Sequence, residues 1–171
     1  MFKFKKLATS ILSLGIVFAG TSNVFAAETN SKEPTINWDN VWESVDSGTQ
    51  LPSTTNFGSQ SPVDGEISLM AWGDLASGST ALSLDSGKVK STGKTKGKVL
   101  TTVTSATTSL RLSGMGYITG PKETAIAKFT ATSVVSTNNP SGTQTFEGLT
   151  IHTATDSGVL YEARTYDSKS Y

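Results

Sequence analysis

Residues 143–166 read TQTFEGLTIHTATDSGVLYEARTY. Two alternating runs flank the triplet Asp156-Ser157-Gly158. In the first run Leu149, Ile151 and Thr153 fall on one face. In the second, Tyr161, Ala163 and Thr165 align, with Glu162 and Arg164 opposite. A period of two, with hydroxyl and charged residues on the alternate face, is the pattern of half-buried antiparallel strands. Asp and Ser bond their own backbone and Gly accepts positive φ, so the triplet predicts a tight turn between the two strands. On this alternation His152 falls with Thr150 and Ala154, opposite Ile151, which predicts an imidazole on the outward face.

The same texture extends backwards to residue 66. Short alternating runs over 66–72, 79–84, 88–91, 94–104, 108–118 and 122–135 are separated by Gly, Ser, Asn and Asp. Asp-Ser-Gly recurs at 46–48 and 85–87, again as a turn signal. Seven or eight strands at this spacing predict an all-β fold, an antiparallel β-sandwich over 66–171. Gly158-Val159-Leu160-Tyr161 after Asp156 resembles the corner before a late strand in immunoglobulin-like domains, which implies a Greek-key sandwich, immunoglobulin-like in outline.

Upstream the chain changes character. Residues 1–26 read as a secretory signal peptide. Lys3, Lys5 and Lys6 precede a mostly apolar run from Leu7 to Gly20, and Val24-Phe25-Ala26 offers a cleavage site. The apolar run is shorter than the roughly 20 residues of a bilayer span. Residues 27–65 read as an acidic, mostly irregular arm with one short helix. There Trp38, Val41, Trp42 and Val45 stand at i, i+3, i+4, i+7. An aromatic stripe at that spacing is usually a packing face, so the helix is expected to plug one end of the core, with Trp38 and Trp42 as the docking side chains.

Charge follows the same division. The chain carries 14 basic and 14 acidic residues, a formal zero. Without residues 1–26, the segment 27–85 is net −8 and 86–171 is net +5. The opposite signs predict attraction between arm and sandwich, within one chain or between neighbours.

The inventory of reactive groups is short. With no Cys, a thiolate metal site, a disulfide framework and a cysteine nucleophile are excluded, and one His cannot build a multi-histidine centre. His152 with Ser157 and Asp156 supplies the residue types of a triad, but no Gly-x-Ser-x-Gly elbow occurs. Glu66, Asp74, Glu147 and Glu162 lie on or beside strands with nothing to fix a separation between two of them. No catalytic residue, metal or cofactor is therefore assigned.

The most localised signal is Lys88, Lys90, Lys94, Lys96 and Lys98. Their alternation predicts two short strands around a Ser91-Thr92-Gly93 turn, with several lysines on one face. Such lysines suit an edge hairpin that discourages strand addition, an anionic surface, or the acidic arm. Gly93-Lys94-Thr95 is not a phosphate loop, because Lys88 stands where that motif needs its first Gly. Trp72, Tyr117 and Tyr166 fall opposite the expected core faces and are candidates for stacking on sugar rings.

Gly-Lys-Val at 87–89, Gly-Lys-Thr at 93–95, Leu-Arg-Leu at 110–112 and Gly-Val-Leu-Tyr-Glu-Ala-Arg at 158–164 together resemble a group of small secreted β-sandwich proteins of Gram-positive bacteria. The resemblance covers 66–171 and implies export and a sandwich, with no catalytic residues. The expectation is a non-enzymatic protein that binds or assembles at the cell exterior, secreted or wall-associated. The alternatives are a carbohydrate- or wall-binding module using the lysines and aromatics, and a secreted hydrolase. Expected partners are an anionic wall polymer or glycan, or a second copy. Nucleic acid and a membrane span after signal cleavage are not expected.

Overall fold

The computed structural model describes residues 35–58 and 74–171. The expected signal peptide, the expected 66–72 strand run and Trp72 lie outside the described residues. Helix α1 (Trp38–Asp46) is followed by nine strands: β1 (Thr54–Phe57), β2 (Ala76–Asp85), β3 (Lys88–Gly97), β4 (Val103–Leu112), β5 (Tyr117–Thr119), β6 (Glu123–Ile126), β7 (Thr130–Asn138), β8 (Thr145–Asp156) and β9 (Val159–Ser170). All pairs are antiparallel. The first sheet has the order β1-β2-β3-β7. The second has the order β5-β4-β8-β9, with β6 also on β4. The two sheets pack face to face as a β-sandwich.

The Asp-Ser-Gly triplets do what their chemistry suggests. Ser86 and Gly87 join β2 to β3, and Ser157 and Gly158 join β8 to β9. All four have positive φ, the two-residue type I′ geometry that matches strand twist. The third triplet ends α1. Gly48 N–H donates to Val45 O and Thr49 N–H to Ser44 O, with Gly48 at φ 94°, which is a Schellman stop.

One correction concerns Ser91-Thr92-Gly93. It is not a turn. β3 runs unbroken from Lys88 to Gly97, paired along its length with β2 and over Lys88–Lys96 with β7. Gly93 is there for clearance, because a Cβ would collide with the Thr150 side chain of the facing sheet. A second finding is that the arm contributes to the sandwich. β1 lies inside 27–65 and forms one edge of the first sheet.

The interior is unusual in composition. Two small apolar clusters occupy its ends. Leu82, Val89, Leu110 and Phe146 form one, and Phe57, Ala76 and Ala154 the other. Between them lies a band of buried hydroxyls centred on His152. Its Nδ1 lies 2.7 Å from Thr95 Oγ1 and its Nε2 2.7 Å from Thr165 Oγ1. Thr165 Oγ1 is 2.5 Å from Thr80 Oγ1, which meets Thr150 Oγ1 at 2.7 Å. Thr150 and Ser91 each lie 3.1 Å from Thr108 Oγ1. This chain links β3, β8, β9, β2 and β4, so it sews one sheet to the other. Gly78 gives the imidazole its space: a Cβ there would stand 2.6 Å from His152 Cδ2.

Candidate functional site

His152 corrects the first expectation. It is fully buried, not outward. Thr95 Oγ1 donates its proton to Ser105 O at 2.7 Å, so it accepts from the ring, which places the imidazole proton on Nδ1. Thr165 then donates to Nε2. Burial lowers the His152 pKa to about 4, so the ring is neutral. With both nitrogens held by threonines and no solvent access, the imidazole is not placed to serve a substrate. Ser157 and Asp156 lie at the β8–β9 turn, where Ser157 Oγ donates to Asp156 at 3.3 Å and Thr101 caps the same carboxylate at 2.5 Å. The triad residues are not assembled.

The aromatics are also placed differently from a stacking platform. α1 does not plug an end of the core. It lies on the outer face of the second sheet, where Val41 and Trp42 are buried. Trp42 Nε1 donates to Ser109 Oγ at 3.1 Å, and the Arg111 guanidinium sits 4.1 Å over the indole. Arg111 also bonds both carboxylate oxygens of Asp46, one at 3.1 Å, and donates from Nε to Glu147 at 2.6 Å. The Arg111 hydrogen bonds hold the Asp46 carboxyl below its ordinary pKa. Tyr117, on β5, lies 6.5 Å from Trp38 and donates its hydroxyl to Asp39 at 2.9 Å, so it anchors α1. Tyr166, on β9, is half-buried beside Leu149, and burial raises its pKa. β5 and β9 are opposite edges of that sheet, so the two tyrosines are about three strand spacings apart, roughly 14 Å.

The lysines, by contrast, are brought together. On β3 the odd-numbered residues from Val89 to Gly97 are buried, and Lys88, Lys90, Thr92, Lys94 and Lys96 point outward. The reading of these lysines as an edge device fails, because β3 lies between β2 and β7. They form one line down the middle of the outer face of the first sheet. Registry sets the flanks: Asp85, Ser83, Ala81, Ser79 and Ser77 on the β2 side, and Asn138, Ser136, Val134, Thr132 and Thr130 on the β7 side. Apart from Asp85 at the turn, the flanks are uncharged and short, so the ammonium groups stand above a hydroxyl-lined floor. Toward β1 the face dips into an open depression of about 450 Å³ lined by Lys94, Lys96, Asn56, Ser77, Ser79 and Thr130.

Lys98 is different. It lies past the strand, 2.9 Å from Asn56 Oδ1 and 3.5 Å from Asp74, and it ties the start of β2 to β1. Lys88, Lys90, Lys94 and Lys96 make no ion pair among the described residues. The described part of the acidic arm reaches the other sheet through Asp46 and Asp39 and leaves this face open. The sequence held the signal for this surface: an alternation of Lys with Val, Ser and Thr from 88 to 96, broken only at Thr92-Gly93. What it lacked was a sign that the strand continues through Gly93.

No protein-family model, curated protein or solved structure matches this chain.

Proposed function

We propose that this is a secreted, non-enzymatic binding protein that attaches to an anionic polymer of the cell exterior through the outer face of its first sheet. One observation carries the proposal: Lys88, Lys90, Lys94 and Lys96 line up on a central strand, unneutralised among the described residues, over a floor of Ser and Thr. Four like charges held at alternate positions of one strand repel each other, and Asp85, opposite Lys88, is the one carboxylate in their flanking rows. An external polyanion turns that repulsion into attraction. The amino-terminal 26 residues, with the grammar of an export signal, support an exterior location. The locked environment of His152 supports a role without catalysis.

The test is co-sedimentation of the mature protein with bacterial cell walls, before and after their anionic polymers are stripped. The expected result is retention on intact walls at low salt, release at about 0.5 M salt, and no retention on stripped walls. Equal retention on stripped walls would overturn the proposal.

A further inference from the structure

The line of lysines has a period, and the period selects a polymer. This step rests on the function proposed above and names the ligand of the same face. Successive outward residues on a strand are two residues apart, about 6.4–6.8 Å. The Lys88–Lys96 line therefore presents five positions over roughly 26 Å, occupied by Lys, Lys, Thr, Lys and Lys. Two residues of polypeptide contain six backbone bonds and reach at most about 7 Å. A 1,3-linked glycerol phosphate repeat, from one phosphorus to the next, also contains six single bonds, so its extended repeat has the same reach of about 7 Å. A polymer of this kind can lie along β3 with one phosphate beside each outward position. Four phosphates meet an ammonium, and the middle one meets the Thr92 hydroxyl.

The flanking rows match the rest of such a chain. Ser79 and Ser83 on one side, and Thr130, Thr132 and Ser136 on the other, offer hydroxyls to free polyol hydroxyls. A nucleic-acid strand has the same six-bond backbone, but single-strand binders add aromatic side chains on which bases stack. The outward positions of β1, β2, β3 and β7 carry no aromatic residue. Lysine, a compact and strongly hydrated point charge on a flexible stem, can follow one phosphate per repeat without the planar fork geometry of arginine. We infer that the outer face of the first sheet binds a linear polyol-phosphate polymer extended along β3, in register with its alternate lysines.

Calorimetry on the mature protein tests this with three probes: glycerol phosphate oligomers of three, five and eight repeats, inorganic polyphosphate of matched charge, and oligothymidylate of matched length. Affinity for the glycerol phosphates is expected to rise up to five repeats and then level off. It should exceed that for polyphosphate by about ten-fold, because phosphates only two bonds apart fall out of register with lysines two residues apart. Equal affinity for polyphosphate would overturn the register argument while leaving polyanion binding standing. Oligothymidylate binding as tightly as the glycerol phosphates would overturn the polyol assignment. Failure of all three to bind would remove the proposed function with it.

A charge-conserving rearrangement probes the line itself. Lys90→Ser with Ser83→Lys, and Lys94→Thr with Thr132→Lys, each exchange a directly paired couple. Net charge is kept, but two lysines move onto β2 and β7. With folding verified by the melting curve, affinity for the eight-repeat glycerol phosphate is expected to fall about ten-fold, two of four contacts being displaced. Unchanged affinity would show that total charge suffices and would overturn the inference. Thr92→Lys, a surface change that fills the gap, should raise affinity about three-fold, and no gain would count against the register.

Discussion

At the scale of single residues, His152 is the most informative side chain. Its folded pKa of about 4 lies below the ordinary 6.5, so the unfolded chain takes up a proton that the folded chain refuses. The resulting stability is fully present above about pH 6.5 and is lost as pH falls toward 4. The loss is on the order of 3 kcal/mol over that interval. Asp46 has its folded pKa depressed by Arg111, so its share is present above its ordinary 3.8 and lost only at lower pH. Denaturant melts from pH 7 to 4 should therefore show a fall in stability that begins above the carboxylate range. In His152→Leu that pH dependence should be absent, although stability at pH 7 drops because Thr95 and Thr165 lose partners. An unaltered pH profile in His152→Leu would contradict the role assigned to the ring. Gly78→Ala forces a Cβ against the imidazole and should cost about 1–3 kcal/mol, read from the same melts.

At the scale of elements, Arg111 is the charged anchor of α1, beside the Tyr117–Asp39 and Trp42–Ser109 hydrogen bonds. Arg111 is 7% exposed and serves Asp46, Glu147 and the Trp42 face together. Arg111→Ala leaves the Glu147 carboxylate, 12% exposed, with the Ser113 hydroxyl but no cation, and uncovers the indole. It should cost about 3 kcal/mol and shift tryptophan emission to the red as α1 lifts. An unchanged emission spectrum would mean that the helix is held by other contacts. The open stretch of β2 beyond β1 is capped in a comparable way. Asp167 accepts from Leu82 N at 2.8 Å and Lys169 donates to Leu82 O at 2.9 Å, so side chains of β9 cover backbone groups that a foreign strand could use.

The elements also show what the residue pattern disclosed and where it misled. β1 lies in the stretch read as an irregular arm, and the runs 94–104, 108–118 and 122–135 each span parts of two strands. The presence of β2, β8 and β9, the turns at Ser86-Gly87 and Ser157-Gly158, and the helix stop at Gly48 follow from local chemistry and were legible. The orientation of β8 was not. From Gly148 to His152 that strand is buried on both faces, so apolar alternation no longer marks the interior. The more apolar side, Leu149 and Ile151, faces away from the partner sheet, while Thr150 and His152 face into it. β3 misled for a related reason. Its inward residues are Val89, Ser91, Gly93, Thr95 and Gly97, nearly all small or polar because they meet a hydroxyl band, so they read locally as a turn. The lysine face was legible as a cluster but not as a line, because its straightness depends on that continuity.

At the scale of the whole molecule, the charge division acquires a direction. The arm's Asp39 and Asp46 are spent on the second sheet, whereas the lysines stand on the outer face of the first. The described part of the arm thus docks in cis and leaves the basic face turned outward. The most direct test is the salt dependence of affinity for a glycerol phosphate polymer. Each neutralised charge on a single-stranded polyanion contributes a slope of about −0.7 in log K against log salt concentration, so four lysines should give about −3. Replacing Lys88, Lys90, Lys94 and Lys96 by Ser should weaken binding sharply and bring the slope of any residual binding close to zero, with the fold intact. A slope that survives those four substitutions would contradict the central claim.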